Sequence, residues 1–273
     1  MIFEILAYGF MRNALIAALM VSVACGVVGT LVVLKKLVFM SGGISHSAFG
    51  GIGLGYLLGL NPVLVAIPFS LLASISVGVI GRRTRISEDV SIGILWAVGM
   101  AAGIIFVNLA PGYAPDLFSY LFGSILTVPV FDLMVMFILD MLIVTIFLLF
   151  HKEFYAISFD EEFATVSGVP VKTLYYVLLG MIGLSVVILI RVVGIILVIA
   201  LLTIPTVISM KFTHGIIKLS LMSAIIGLIC TVTGLFLSYV FNLTSGATIV
   251  MVLAAAFLTS TLIKRLKLFK KTV

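Results

Sequence analysis

Uncharged apolar runs constrain this chain more than any other feature. Between its clusters of charge the sequence falls into nine stretches, at about 13–34, 37–59, 62–80, 91–109, 129–150, 172–190, 192–210, 216–238 and 245–263. A helix needs about 20 apolar residues to cross a bilayer, and in lipid only helices and closed barrels satisfy their own backbone. A water-soluble domain could not hide this much apolar surface, because 63% of the 273 residues are hydrophobic and only 10% are charged. The expected fold is all-α, a single polytopic transmembrane bundle of eight to nine spans over residues 1–273. The second and seventh stretches carry Gly or Pro, so breaks are expected there.

The charges orient the bundle. If the C-terminal KRLKLFKK is cytoplasmic, alternation places Lys35, Lys36, Arg82, Arg83, Arg85, Lys152, Lys172, Lys211 and Lys218 on that side too. Of the 16 Lys and Arg residues only Arg12 and Arg191 then lie outside, which satisfies the positive-inside rule. The N-terminus is outside in this arrangement. Arg191 is expected to snorkel to the outer interface, and Glu88 and Asp89 to pair with the arginines of RRTRIS. The net charge of +6 is explained by this asymmetry and does not point to nucleic acid. Cys25 and Cys230 lie inside apolar runs and suggest neither a disulfide nor a metal site. No basic segment with a cleavage site opens the chain, and no GxxxxGK[ST] phosphate loop is present, so energy must come from an ion gradient or a partner.

One apolar stretch holds polar residues at mid-membrane depth. In SGGISHSAFGGIGLGYLLGL, His46 sits on a helical stripe with Gly42 and Gly50 one turn to either side, Gly43 at i−3 and Gly53 at i+7. The stripe lets another helix approach closely or lines a passage. An ionisable group at this depth faces a cavity or a partner. Neutral imidazole is a good ligand for borderline metals, and the alternative is a histidine hydrogen-bonded across a close glycine crossing. Ser45 and Ser47 flank it, but adjacent helical residues point about 100° apart. Without an H-E-x-x-H pair, an intramembrane hydrolase is disfavoured.

Two connections are long. Residues 110–128, on the outside, are expected to dip back as a short helix, with Asp116 beside Tyr113 and Tyr120 at the outer mouth, where it attracts cations or is a plain loop carboxylate. Residues 151–171 lie inside. Within them, Ser158 or Asp160 can cap a short helix, and Asp160, Glu161 and Glu162 suit its positive end. Phe163, Ala164 and Val166 form a small apolar face, and Gly168 with Pro170 ends the turn. Two turns are marginal alone in water, so this helix needs the flanking spans or a partner's groove.

The stretch SFDEEFATVSGVP (158–170) resembles the coupling helix of ABC importer permeases, and most closely that of the family that moves zinc, manganese or iron. Four other stretches resemble that family's motifs in its order: SGGISHSAFGGIGLGYLLGLNP (41–62), EDVSIGILWAVGMAAGI (88–104), APGYAPDLFSYLFGSIL (110–126), and RVVGIILVIALLTIPTVIS with SGATIVMV (191–209, 245–252). The resemblance implies a prokaryotic cytoplasmic-membrane permease, itself no enzyme, working as a homodimer. It implies cytoplasmic ATPase subunits docked on 158–168, with Phe163 inserted in their groove, and an external binding protein that delivers the metal. Zinc, manganese or iron would be carried transiently, with no resident cofactor. Many members carry an aspartate where this chain has Gly42, so half of an i, i+4 Asp–His site is missing. Asp140, mid-way along the fifth stretch with Asp132 two turns earlier, is the candidate replacement, or else a buried structural carboxyl. A permease for a metal chelate or vitamin is the alternative in the same architecture. A gradient-driven carrier is the alternative outside it.

Overall fold

The computed structural model describes residues 8–83, 87–111 and 117–272. They form eleven α-helices and, among the described residues, no strand: α1 (Gly9–Leu34), α2 (Val38–Leu58), α3 (Pro62–Arg83), α4 (Glu88–Leu109), α5 (Leu117–Phe122), α6 (Val130–Phe159), α7 (Glu161–Val166), α8 (Val171–Val193), α9 (Val198–Ser209), α10 (Ile216–Phe241) and α11 (Ser245–Thr272). Seven of them, α1, α3, α4, α6, α8, α10 and α11, are long and apolar enough to cross a membrane. The other two long stretches differ for separate reasons. Helix α2 runs unbroken for 21 residues, but its glycines, serines and histidine dilute its apolar character. The chain breaks instead at Gly194, whose φ of 77° lies in the left-handed region. A 3₁₀ turn and α9 follow, and Ile195–Ser209 is shorter than a full span.

Helices α1 and α8 form the centre, with nearly every side chain from Val21 to Val32 and from Leu178 to Val193 buried. Small residues set the distances around them. A Cβ on Gly26 would strike Ser220 and Ala224 of α10, and one on Gly29 would strike the Leu202 carbonyl of α9. Lipid tails are as apolar as the side chains and supply no hydrophobic drive between helices, so close backbone packing of this kind helps hold membrane helices together.

Helices α1 and α6 run parallel: Asn13 Nδ2 donates to Val128 O at 3.3 Å near their starts, and Lys35 Nζ donates to Ile157 O at 2.8 Å near their ends. The α7 end of the bundle therefore collects the ends of α1, α3, α6, α9 and α11 and the starts of α2, α4, α8 and α10. Lys35, Lys36, Lys152, Lys172, Lys211 and Lys218 all lie there. Helix α6 continues through residues expected to be loop, turning at Phe150 (φ −115°, ψ 19°) before it ends at Phe159.

At the opposite end, residues 117–127 fold back into the bundle as expected, as α5 and a 3₁₀ turn. Gly123 and Gly194, both at φ 77°, cross there backbone to backbone, and a Cβ on Gly246 would strike Phe122 O and Val193 O. Tyr120 and Ile125 are buried. Asp116 and Tyr113 lie outside the described residues, as do Arg85 and the rest of its turn.

Candidate functional site

Helix α2 owes its place to its glycines. Each one on the His46 face is occupied by a neighbour: Gly42 by the Ile199 side chain of α9, Gly43 by Ile92 of α4, Gly50 by Phe69 of α3 and Gly99 of α4, and Gly53 by the Gly103 backbone of α4. The stripe is packed. The flanking serines complete the seam, Ser45 Oγ lying 3.2 Å from Ile195 O and Ser47 Oγ 2.8 Å from Leu95 O.

His46 is only partly buried. Its Nδ1 lies 2.9 Å from Gly42 O, one turn back on its own helix. A carbonyl can only accept, so Nδ1 carries the proton in this bond, and in the neutral ring Nε2 keeps its lone pair. The imidazole stacks on the indole of Trp96 in α4, with ring centroids 3.9 Å apart and planes 24° from parallel. Trp96 also lines a groove of about 340 Å³ with Phe39, Asp89, Ile92 and Gly93. Asp89, Gly93 and Trp96 share one face of α4 at i, i+4 and i+7, so the groove leads along α4 from its α7 end to the residue against which His46 rests. Sequence reasoning passed over Trp96. Its signal was its uniqueness, since it is the one tryptophan in the chain.

Asp140 does not join this site. Helix α2 packs on α3, α4, α8 and α9, whereas α6 packs on α1 and α8, and no extended contact links α2 to α6. The Asp140 carboxyl is 3% exposed and within electrostatic reach of the Cys25 thiol of α1, and its Oδ1 has no hydrogen-bond partner. Within one chain, His46 and Asp140 therefore sit on helices that do not pack along each other. Among the described residues no three His, Cys, Asp or Glu side chains gather as a metal site.

Arg191 also departs from expectation. It is 7% exposed, not snorkelled, and its Nε donates to Asp132 Oδ2 at 2.5 Å. Its guanidinium carbon lies 4.9 Å from the centroid of the Tyr120 ring, which meets Tyr56 of α2 edge-on at 6.3 Å. The pair ties α6 to α8 and both to α5. Two residues 59 apart in sequence carry no local signal of such pairing.

At the other end, α7 forms as its sequence requires. Asp160, not Ser158, is the cap, accepting from Phe163 N at 2.9 Å through Oδ1. The Ser158 hydroxyl instead donates to Phe154 O. Glu161 is ion-paired with Lys35 at the end of α1, while Glu162 stays exposed. The expected apolar face is split: Ala164 is fully buried against the bundle, while Phe163 and Val166 project outward at 68% and 89% exposure. Gly168, at φ 83°, turns the chain into α8. A buried alanine and two bare apolar side chains make a helix fixed on one face and offered on the other.

The chain as a whole is similar to known proteins. The profile of the ABC 3 transport family matches residues 7–264. An uncharacterized membrane protein of Synechocystis sp. is 45% identical over 262 residues, covering 96% of this chain and 93% of its own. The manganese transport system membrane protein MntC of Listeria innocua is 33% identical over 253 residues, covering 93% of this chain and 90% of its own. Among solved structures, PsaBC from Streptococcus pneumoniae in complex with Fab superposes with a TM-score of 0.86 at 34% identity, over 95% of this chain and 93% of that one. By this agreement along nearly its whole length, the chain is a multi-pass protein of the cell membrane and belongs to the ABC 3 transport family.

Proposed function

We propose that this chain is the membrane-spanning permease of an ATP-driven importer of divalent metal ions, manganese or zinc. It would work as a homodimer with separate ATPase subunits and an external metal-binding protein. The names of the relatives support a metal cargo. The basic end of the bundle, with α7 on it, is then cytoplasmic, and the α5 end faces outward toward the binding protein. His46 lies on the metal's route, its Nε2 the one ring atom left to take a cation.

The observation that carries this reading is α7. A six-residue helix has no stability of its own, yet here one face is anchored by Ala164 and the Lys35–Glu161 pair while Phe163 and Val166 stand in solvent. Exposed apolar side chains on an otherwise charged surface mark a docking point. A rigid knob seated in an ATPase groove transmits domain motion because packed elements switch between discrete arrangements. Purified with its ATPase subunits and reconstituted in liposomes, the wild-type complex should take up metal only with ATP. Phe163→Asp should lower ATP-driven uptake at least about tenfold, as loss of a buried aromatic anchor does at protein interfaces, without changing the melting temperature of the permease. Unchanged uptake in Phe163→Asp would refute docking through α7.

A further inference from the structure

Resting on that reading, we propose that Lys35 is a positioning residue whose ammonium ties α7 to the turn between α1 and α2, carrying the ATPase's push to both helices. Three helix ends meet at this one group. Its Nζ donates to Ile157 O in the last turn of α6 at 2.8 Å, and to the Glu161 carboxylate in the first turn of α7. The Lys35 side chain is 10% exposed, against 52% for Glu161. Carbonyls in the last turn of a helix lack a backbone donor, and an acid suits the positive start of the next helix. The ammonium serves both ends at once. Among the described residues no extended packing joins α7 to α1, since α7 rests on α6 and α8. The Lys35 side chain is the bridge between them.

The turn beside Lys35 is stiff. Lys36 N donates to Val33 O at 3.2 Å and Leu37 N to Val32 O at 2.9 Å, the paired closure of a Schellman turn. Its left-handed position, where glycine is usual, holds Lys36 at φ 59°. The same closure ends α7, where Gly168 N donates to Thr165 O at 3.1 Å and Val169 N to Ala164 O at 3.0 Å. There the left-handed residue is Gly168, with open space around it. A glycine can absorb a backbone rotation, whereas a lysine held left-handed has fewer conformations to move into. Of the two routes out of α7, the covalent one into α8 passes the glycine, and the stiffer one passes Lys35. Force entering there reaches the end of α1, which packs on α6, α8, α9 and α10, and the start of α2 at Val38.

The test reads metal uptake and phosphate release together on the permease–ATPase complex with its binding protein in liposomes. Expressed per ATP, uptake is insensitive to the amount of complex that assembles. Lys35→Met keeps the apolar stem and removes the ammonium. Uptake per ATP should fall about fivefold while hydrolysis changes less than about twofold, an effect of the size that side chains on a coupling path produce. Lys35→Arg keeps a charged donor and should retain at least about half of the wild-type ratio. Glu161→Gln leaves the Ile157 bond in place and should lower the ratio about twofold. Hydrogen exchange on the same complex supplies a readout that needs no cargo. A non-hydrolysable ATP analogue should change exchange at residues 33–40 and 161–168 in the wild type, but only at 161–168 in Lys35→Met. Unchanged uptake per ATP in Lys35→Met would overturn the proposal, as would a wild type without the response at 33–40 or a variant that keeps it. A complex that imports no metal, yet loses that response in Lys35→Met, would uphold the link and refute the import function.

Discussion

Arg191 and His46 are both polar side chains on otherwise apolar helices, and the fold treats them in opposite ways. Arg191 is closed: buried, ion-paired with Asp132 and laid beside the Tyr120 ring at the end of the bundle where α5 folds in. His46 is half closed: one nitrogen is bound to its own helix, one face lies against Trp96, and the other nitrogen is unassigned. A charge whose valences are all filled inside the chain is architecture, since removing one partner strands the other in a low dielectric. A polar group with one valence left open, beside a groove, is where a mobile ligand can enter and leave. Asp140 shows that burial alone does not distinguish the two cases. Its Oδ1 is also unpartnered, but its side chain is buried within electrostatic reach of the Cys25 thiol.

The contrast can be broken most severely at the ion pair. Arg191→Leu leaves Asp132 unpaired and should cost about 3–5 kcal/mol, read as a large fall in melting temperature and yield of the purified permease. The double variant Asp132→Leu with Arg191→Leu should recover most of that loss, because a well-packed apolar pair replaces the ions at little net cost. A single variant as stable as wild type would show the pair is not structural. Next in size is the seam that holds His46 in place. Gly53→Ala forces a methyl against the Gly103 backbone and should cost about 1–3 kcal/mol by overpacking, displacing α2 from α4. The smallest effect is expected at α7, where Asp160→Ala removes the cap at about 1 kcal/mol. Protease sensitivity between residues 158 and 170 should rise while the melting temperature of the bundle barely moves.

Much of the bundle was legible because its signals are local. Apolar run length and charge placement located most helix starts to within about four residues, although α6 and α11 each run nine residues past the expected end, and the cap-and-glycine grammar of 158–170 located α7. The exceptions have physical causes. The seventh stretch carries Gly and Pro, where a break is expected, and it breaks at Gly194. What its valines and isoleucines do not encode is that this left-handed residue ends α8 against Gly123 and leaves α9 short of a full span. The Arg191–Asp132 pair and the His46–Trp96 stack join residues 59 and 50 positions apart, and no periodicity encodes which helix faces which. Pairing Asp140 with His46 rests on depth alone: depth in the membrane can be counted along a helix, but azimuth and neighbour cannot. The glycine stripe reads as a place of close approach or as the lining of a passage, and the structure shows which neighbours lie against it.

The most direct measurement is ATP-driven zinc uptake by the reconstituted complex, comparing wild type with His46→Gln at equal melting temperature. The account predicts a fall of about tenfold or more, with the Arg191–Asp132 end of the bundle undisturbed. Equal rates in the two proteins would mean that the open nitrogen beside Trp96 is not on the metal's route.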